Sequence, residues 1–164
     1  MAIKVCLEEV LKDKVFYETS GGGITLSGGE PLLQADFAAE VFENCKKLGI
    51  NTCLDTSGSI LDDSIKNLLS YTDRVLLDIK YPTDELYKKY VGCSLETPLR
   101  FLDYLNGQGI PTTLRQVIIP TLNDNEENIN FLKSIIKKHS CIDKTELLPF
   151  KKICKTNSVF AVKS

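Results

Sequence analysis

The chain has 164 residues, 43% hydrophobic and 26% charged, with a formal net charge of −2. That is the profile of one globular domain with a substantial core, and the charge argues against a nucleic-acid or anionic-membrane partner. No apolar run approaches the ~20 residues of a membrane span, and Met1-Ala2-Ile3-Lys4-Val5 leads into an amphipathic pattern instead of a signal peptide, so the expected compartment is the cytoplasm.

Apolar residues at Ile3, Cys6, Leu7, Val10 and Leu11 have helical spacing and predict a helix from Ile3 to about Lys14. Gly21–Gly23 end that approach, and Ile24–Ser27 reads as the first strand. Gly28 and Gly29 have no Cβ, so ligand atoms can come close to their backbone. Glu30 then sets a carboxylate just past the strand end. Asp36 is the expected cap of a helix running to Leu48, with Phe37, Val41, Cys45 and Leu48 on one face and Gly49 as the stop. Thr52–Asp55 is the second strand, Asp62 or Asp63 caps a short helix through Leu69, and Arg74–Ile79 is the third strand. Its Val75-Leu76-Leu77 run suits a strand buried on both faces. Helices follow at Asp84–Tyr90 and Thr97–Leu105, closed by Gly107 and Gly109. Thr112–Ile119 is the fourth strand, Asn123-Asp124-Asn125 caps a helix from Glu126 to Lys138, and Thr145–Leu148 is the fifth strand, ended by Pro149. Lys155–Ser164 has no period and reads as a loosely held tail.

Strands alternating with helices imply a parallel sheet. Each strand then delivers polar groups at its carboxyl end, where ligands bind in α/β folds. The first gives Gly28, Gly29 and Glu30; the second Asp55, Thr56 and Ser57; the third Asp78 and Lys80; the fifth leads to Lys151. The fourth carries Arg115 within it, where an unpaired charge is costly, so a partner is expected on the inner face. Carboxylates suit an ammonium group and Lys or Arg suits a carboxylate, so the set fits a zwitterionic amino-acid ligand. The six cysteines, Cys6, Cys45, Cys53, Cys93, Cys141 and Cys154, form no CxxC or CxxxC pair and provide no local zinc or cluster framework. They are expected to be reduced and structural. The only histidine, His139, lies near a helix end and reads as a surface residue.

Taken together, Leu7–Asp13, Phe16-Tyr17, Gly28-Gly29-Glu30-Pro31, Leu54–Gly58, Leu77-Asp78-Ile79-Lys80, Leu114-Arg115 with Pro120, and Leu147-Leu148-Pro149-Phe150 resemble the radical S-adenosylmethionine (SAM) enzymes. The likeness is to the activating enzymes of glycyl radical enzymes such as pyruvate formate-lyase. It implies an α/β fold of parallel strands in a partial (β/α) barrel, residues 1–164 being a single incomplete domain that lacks the first strand and the cluster loop. It also implies SAM as cofactor and, in the full-length protein only, a [4Fe-4S] cluster on three upstream cysteines that this chain does not carry. The Gly28-Gly29-Glu30 motif would meet the SAM amino group, Asp78, Ile79 and Lys80 the ribose and methionyl carboxylate, and Arg115 would be the active-site arginine. Asp55, Thr56 and Asp78 resemble a monovalent-cation site that adjoins SAM, Thr56 thereby serving cofactor and cation alike. Lys151 stands where the family has a SAM-contacting histidine, and a lysine cannot stack on adenine as an imidazole does. The implied chemistry is one-electron cleavage of SAM to methionine and a 5′-deoxyadenosyl radical, which takes hydrogen from a partner's glycine, with flavodoxin or ferredoxin as reductant. The chain alone is expected to be inactive, and its first strand to present an open edge that invites self-association. The alternative reading is a non-catalytic module that keeps the SAM-site scaffold. A dinucleotide-binding domain is excluded by the glycine spacing.

Overall fold

The computed structural model describes residues 2–150. In chain order the elements are α1 (Ala2–Lys12), α2 (Lys14–Ser20), β1 (Gly23–Leu26), a 3-10 turn (Pro31–Gln34), α3 (Ala35–Lys47), β2 (Asn51–Thr56), α4 (Asp63–Ser70), β3 (Arg74–Asp78), α5 (Asp84–Tyr90), α6 (Glu96–Gln108), β4 (Thr112–Ile118), α7 (Glu126–Lys138) and β5 (Ile142–Pro149). The strands form one sheet in the order β1-β2-β3-β4-β5, and each neighbouring pair is parallel. The expected alternation is therefore present, with the motifs of the first four strands at the same end of the sheet.

Burial alternates along the central strands with the period of two that a pleated strand imposes. Leu54 in β2, Val75 and Leu77 in β3 and Leu114 in β4 are fully buried, beside Phe42 of α3 and Phe101 and Leu105 of α6. Each buried Leu or Phe contributes about 1.5–3 kcal/mol. The intervening residues, Cys53, Asp55, Arg74, Leu76, Asp78 and Arg115, are only partly buried. One face of the sheet is thus packed under helices and the other is open and polar. This corrects the expectation that Val75-Leu76-Leu77 is buried on both faces: Leu76 points to the open one. On that face Arg74 grips Asp143 bidentately and Thr113 as well, tying β3 to β5 across β4.

Several local expectations change. The first helix, α1, stops at Lys12, and an unexpected second one, α2, follows with no fully buried residue, so it has no apolar stripe to betray it. Asp36 does not cap α3. It sits inside the first turn, and Pro31–Gln34 leads in as a 3-10 turn capped by Glu30, whose side chain accepts from the Leu32 N–H. Asp62, not Asp63, caps α4, accepting from the Ile65 N–H at 2.9 Å. Asn125 alone of its trio caps α7. Gly107 lies within α6, which is closed by Gly109 at φ 67°. The tail from Lys155 falls outside the described residues.

Candidate active site at the carboxyl rim

Gly28 and Gly29 follow β1 with φ of 83° and 62°, a left-handed pair that other residues adopt only with strain. A Cβ at either would meet no protein atom within 4 Å, so conformation fixes glycine here, and the space beside the turn is free. These two residues, with Leu26, Leu33 and Phe37, line a cleft of about 330 Å³. The turn is held from behind by Glu30. Its Oε1 accepts from the Thr56 hydroxyl at 2.6 Å and the Leu32 N–H at 3.2 Å, and its Oε2 from the Ser57 N–H at 3.0 Å and hydroxyl at 2.5 Å. Those four bonds use the carboxylate's principal lone pairs. Glu30 therefore joins the β1 turn to the β2 turn, and its charge is spent inside the protein.

The second part of the rim centres on Arg115. Parallel register sets it beside Asp78. Its Nε donates to Asp78 Oδ1 at 2.9 Å and its Nη2 pairs with Asp55 Oδ1. The partner expected for a strand arginine is thus a pair of partners, one from each of the two preceding strands. Arg115 is 17% exposed. Burial disfavours its charge, but the hydrogen bond and charge of Asp78, then those of Asp55, more than offset this and hold the guanidinium above its usual pKa. Ile79 is fully buried, and its N–H continues the ladder to the Arg115 carbonyl at 3.1 Å. Its side chain is therefore core, which leaves only its backbone to face a ligand. Lys80 follows with its side chain exposed. The rim brings Gly28, Gly29, Glu30, Thr56, Asp55, Asp78, Lys80 and Arg115 into one connected arc. Lys151 lies outside the described residues.

Sequence reasoning misplaced one residue and overlooked two others. His139 is 2% exposed, contrary to its reading as a surface residue. Its Nδ1 faces the Ile135 carbonyl at 2.7 Å, while Nε2 meets Asp103 at 2.9 Å. It joins α7 to α6 and is far in the fold from the motif turns. Tyr87 and Asn123 are the overlooked pair; both bond to the backbone of Lys80. No spacing signals Tyr87. Asn123 was visible only as one of three candidate caps.

Among the described residues no group of three or more His, Cys, Asp or Glu side chains could hold a metal ion. Cys6, Cys45, Cys53, Cys93 and Cys141 are free thiols on separate elements, and Cys154 lies outside the described residues. Burial pushes the Cys45, Cys53 and Cys141 thiols up, away from the thiolate form that iron requires. These residues do not fit an iron–sulfur cluster. Asp55 and Asp78 both face Arg115, and the Thr56 hydroxyl donates to Glu30, so the place between the carboxylates is taken by a guanidinium. An open glycine turn at the same end of the sheet as Asp78, Lys80 and Arg115 does offer the groups that a nucleoside-linked amino acid needs.

Comparison with known proteins shows the family and the fold. Residues 3–132 match the Radical SAM superfamily. The chain is 43% identical over 129 residues to the (2S)-3-sulfopropanediol dehydratase activating enzyme of Klebsiella oxytoca, covering 79% of this chain and 41% of that protein. It is 38% identical over 158 residues to the pyruvate formate-lyase 1-activating enzyme of Escherichia coli K12, covering 93% of this chain and 64% of that protein. The chain thus spans less than two thirds of either relative. In structure it is similar to a domain of a pyruvate-formate lyase-activating enzyme from Bacteroides vulgatus, with a TM-score of 0.70 at 22% identity, over 84% of this chain and 86% of that one. The α/β architecture is that of a partial barrel of parallel strands.

Proposed function

The chain belongs to the radical SAM superfamily, and from that premise we propose that it is the SAM-holding part of an activating enzyme for a glycyl radical enzyme, pyruvate formate-lyase or a related dehydratase. The observation that carries this reading is the arc from the Gly28-Gly29 turn through Glu30 and Thr56 to Arg115, Asp55 and Asp78, two side-chain hydrogen-bond groups that adjoin where Thr56 follows Asp55 in β2. In this reading the open backbone at Gly28 and Gly29 meets the ligand's ammonium end. Asp78 and Lys80 take the ribose hydroxyls and the methionyl carboxylate. Glu30 positions the turn without touching the ligand, and Arg115 orients Asp78 while facing the open side of the sheet. When bound and given one electron, SAM supplies the carbon-centred radical with which the family removes hydrogen from a glycine backbone.

No step is assigned to a cluster on the described cysteines; the cysteines that hold it have to be others, and the flavodoxin or ferredoxin reductant belongs with them. The expected monovalent cation at Asp55, Thr56 and Asp78 is not carried forward, because Arg115 already supplies positive charge between the two carboxylates. Lys151 remains a proposed SAM-contacting residue. Among the described residues no helix is long and apolar enough to cross a membrane, in keeping with the proposed cytoplasmic location. Self-association through β1 completes the proposal.

The test is a calorimetric titration with SAM, together with anaerobic iron–sulfide reconstitution. A few neutral or charge-assisted hydrogen bonds must offset several kcal/mol of association cost, so Kd should be on the order of 0.1–1 mM. Reconstitution should leave well under one iron per chain after desalting. Absence of SAM binding at about 10 mM, ten times the weaker end of that range, would overturn the site. About four irons per chain, with reductive SAM cleavage, would show that the described thiols converge after all. Binding without any glycyl radical on the partner, even when a cluster-bearing segment is supplied, would favour the non-catalytic module.

A further inference from the structure

β3 ends at Asp78, so past Ile79 the backbone loses its strand partners. Buried or half-buried N–H and C=O groups there still need partners. At Lys80 both are met by side chains. The Lys80 N–H donates to the Tyr87 hydroxyl at 2.9 Å, and the Lys80 carbonyl accepts from Asn123 Nδ2 at 3.0 Å. The two come from different elements. Tyr87 lies on α5, 2% exposed, its ring edge-on to Tyr81 with centroids 6.2 Å apart. Asn123 lies in the loop after β4 and is 1% exposed. Its amide is otherwise fully committed: Nδ2 also donates to the Val117 carbonyl at 2.9 Å, and Oδ1 accepts from the Ile119 N–H at 2.6 Å. Neither side chain can leave without stranding a buried polar group.

We propose that Tyr87 and Asn123 are positioning residues that hold the backbone of Lys80 at both its N–H and its carbonyl and thereby set the direction in which its ammonium reaches the carboxylate of an S-adenosyl amino acid. This rests on the reading of the rim given above. Lys80 is suited to such control. Its side chain is exposed and long, with rotamer entropy to lose on binding, while its neighbours are already fixed, Asp78 by Arg115 Nε and Ile79 by the Arg115 carbonyl. Fixing the backbone at the next residue removes the remaining local freedom, which is how a bound geometry is preorganised. Burial, the largest cause, raises the Tyr87 phenol well above its usual range, so it stays a neutral hydroxyl throughout the working range.

The experiment uses the ¹⁵N-labelled chain and S-adenosylhomocysteine, an analogue that lacks the reactive sulfonium. Tyr87→Phe deletes one hydroxyl and Asn123→Ser shortens the amide. Each should weaken the probe about five-fold in an NMR titration, the equivalent of about 1 kcal/mol for one neutral hydrogen bond, with Tyr87→Phe moving the melting temperature by no more than about 4 °C. The Lys80 amide should exchange faster in Tyr87→Phe. In a Lys80→Met background, itself weaker in binding than the wild type, the same Tyr87→Phe change should alter affinity by less than about two-fold, because residues acting through one contact are coupled. Equal losses in both backgrounds, or unchanged affinity in Tyr87→Phe, overturn the clamp while leaving the rim as the binding site. Failure of the wild-type chain to bind the probe overturns the rim reading, and the clamp with it.

Discussion

Glu30 shows how one side chain can be recognised for the wrong reason. A carboxylate just past a strand end reads as a ligand group, yet here it accepts hydrogen bonds from Leu32, Thr56 and Ser57. Glu30→Gln would replace one acceptor oxygen with an NH₂ group facing the N–H of Leu32 or of Ser57, neither of which can rotate away. The loss of charge-assisted bonds should destabilise the fold by about 1.5–3 kcal/mol in urea unfolding; a change below about 0.5 kcal/mol, the range of an indifferent surface site, would show that the network does not hold the rim. Other residues were more legible. Arg115 announced its need for partners because a strand places it in a half-buried row, and Gly28-Gly29 announced a turn because of its backbone freedom. Partners across 26 or 27 residues, such as Thr56 and Ser57 for Glu30, depend on strand order and leave no local trace. His139 was misread for the same reason: its partner Asp103 lies 36 residues earlier and reaches it only when α6 packs beside α7.

The elements themselves followed hydrophobic period closely where one face had to be buried. α7 runs Glu126–Lys138 as the pattern required, and β3 and β4 fall within one residue of their expected ends. The period failed at α2, which has no fully buried residue, and at β5, whose residues are nearly all exposed so that Ile142–Lys144 carried no strand signal. α5 shows what secures a short helix without a long apolar stripe. Thr83 caps its N-terminus, and Asp84 accepts from the Ser94 hydroxyl at 2.8 Å and the Leu95 N–H at 3.0 Å, closing the loop that leads to α6. Hydrogen bonds from Lys88, then Ser94 and Leu95, hold the Asp84 carboxyl down to about 2. A depressed carboxylate pKa contributes stability that is present above the unfolded value near 4 and lost as pH falls through the folded value. Asp84→Asn should therefore be less stable than wild type at about pH 6, with the gap closing between about pH 4 and pH 2. An undiminished gap at about pH 2 would mean that the amide disturbs the loop by shape alone.

At the scale of the molecule, an all-parallel sheet normally has both faces covered, whereas this one buries one face and leaves the other open with two Arg–Asp clusters on it. Its two edges, among the described residues, are unlike each other. β5 carries Asp143, Lys144 and Glu146 and ends in Pro149, devices that discourage pairing with another chain. β1 is Gly-Ile-Thr-Leu, with no charge and no proline. Just beyond it the exposed apolar side chains of Leu33 and Phe37 flank the cleft at the Gly28-Gly29 turn. Gly23 also approaches β2 closely, since a Cβ there would lie 1.9 Å from the Asn51 carbonyl oxygen, so β1 is fixed to the sheet on one side and open on the other. That asymmetry predicts association through β1 and not through β5. Sedimentation should show concentration-dependent dimers, with β1 amides more protected from exchange at high protein concentration. Thr25 is exposed on this strand, so Thr25→Lys should shift the chain to monomer and leave its melting temperature within about 4 °C at low concentration. Dimers that survive Thr25→Lys, or a wild-type chain that stays monomeric with freely exchanging β1 amides, would place the protein's self-contacts, if any, away from this edge.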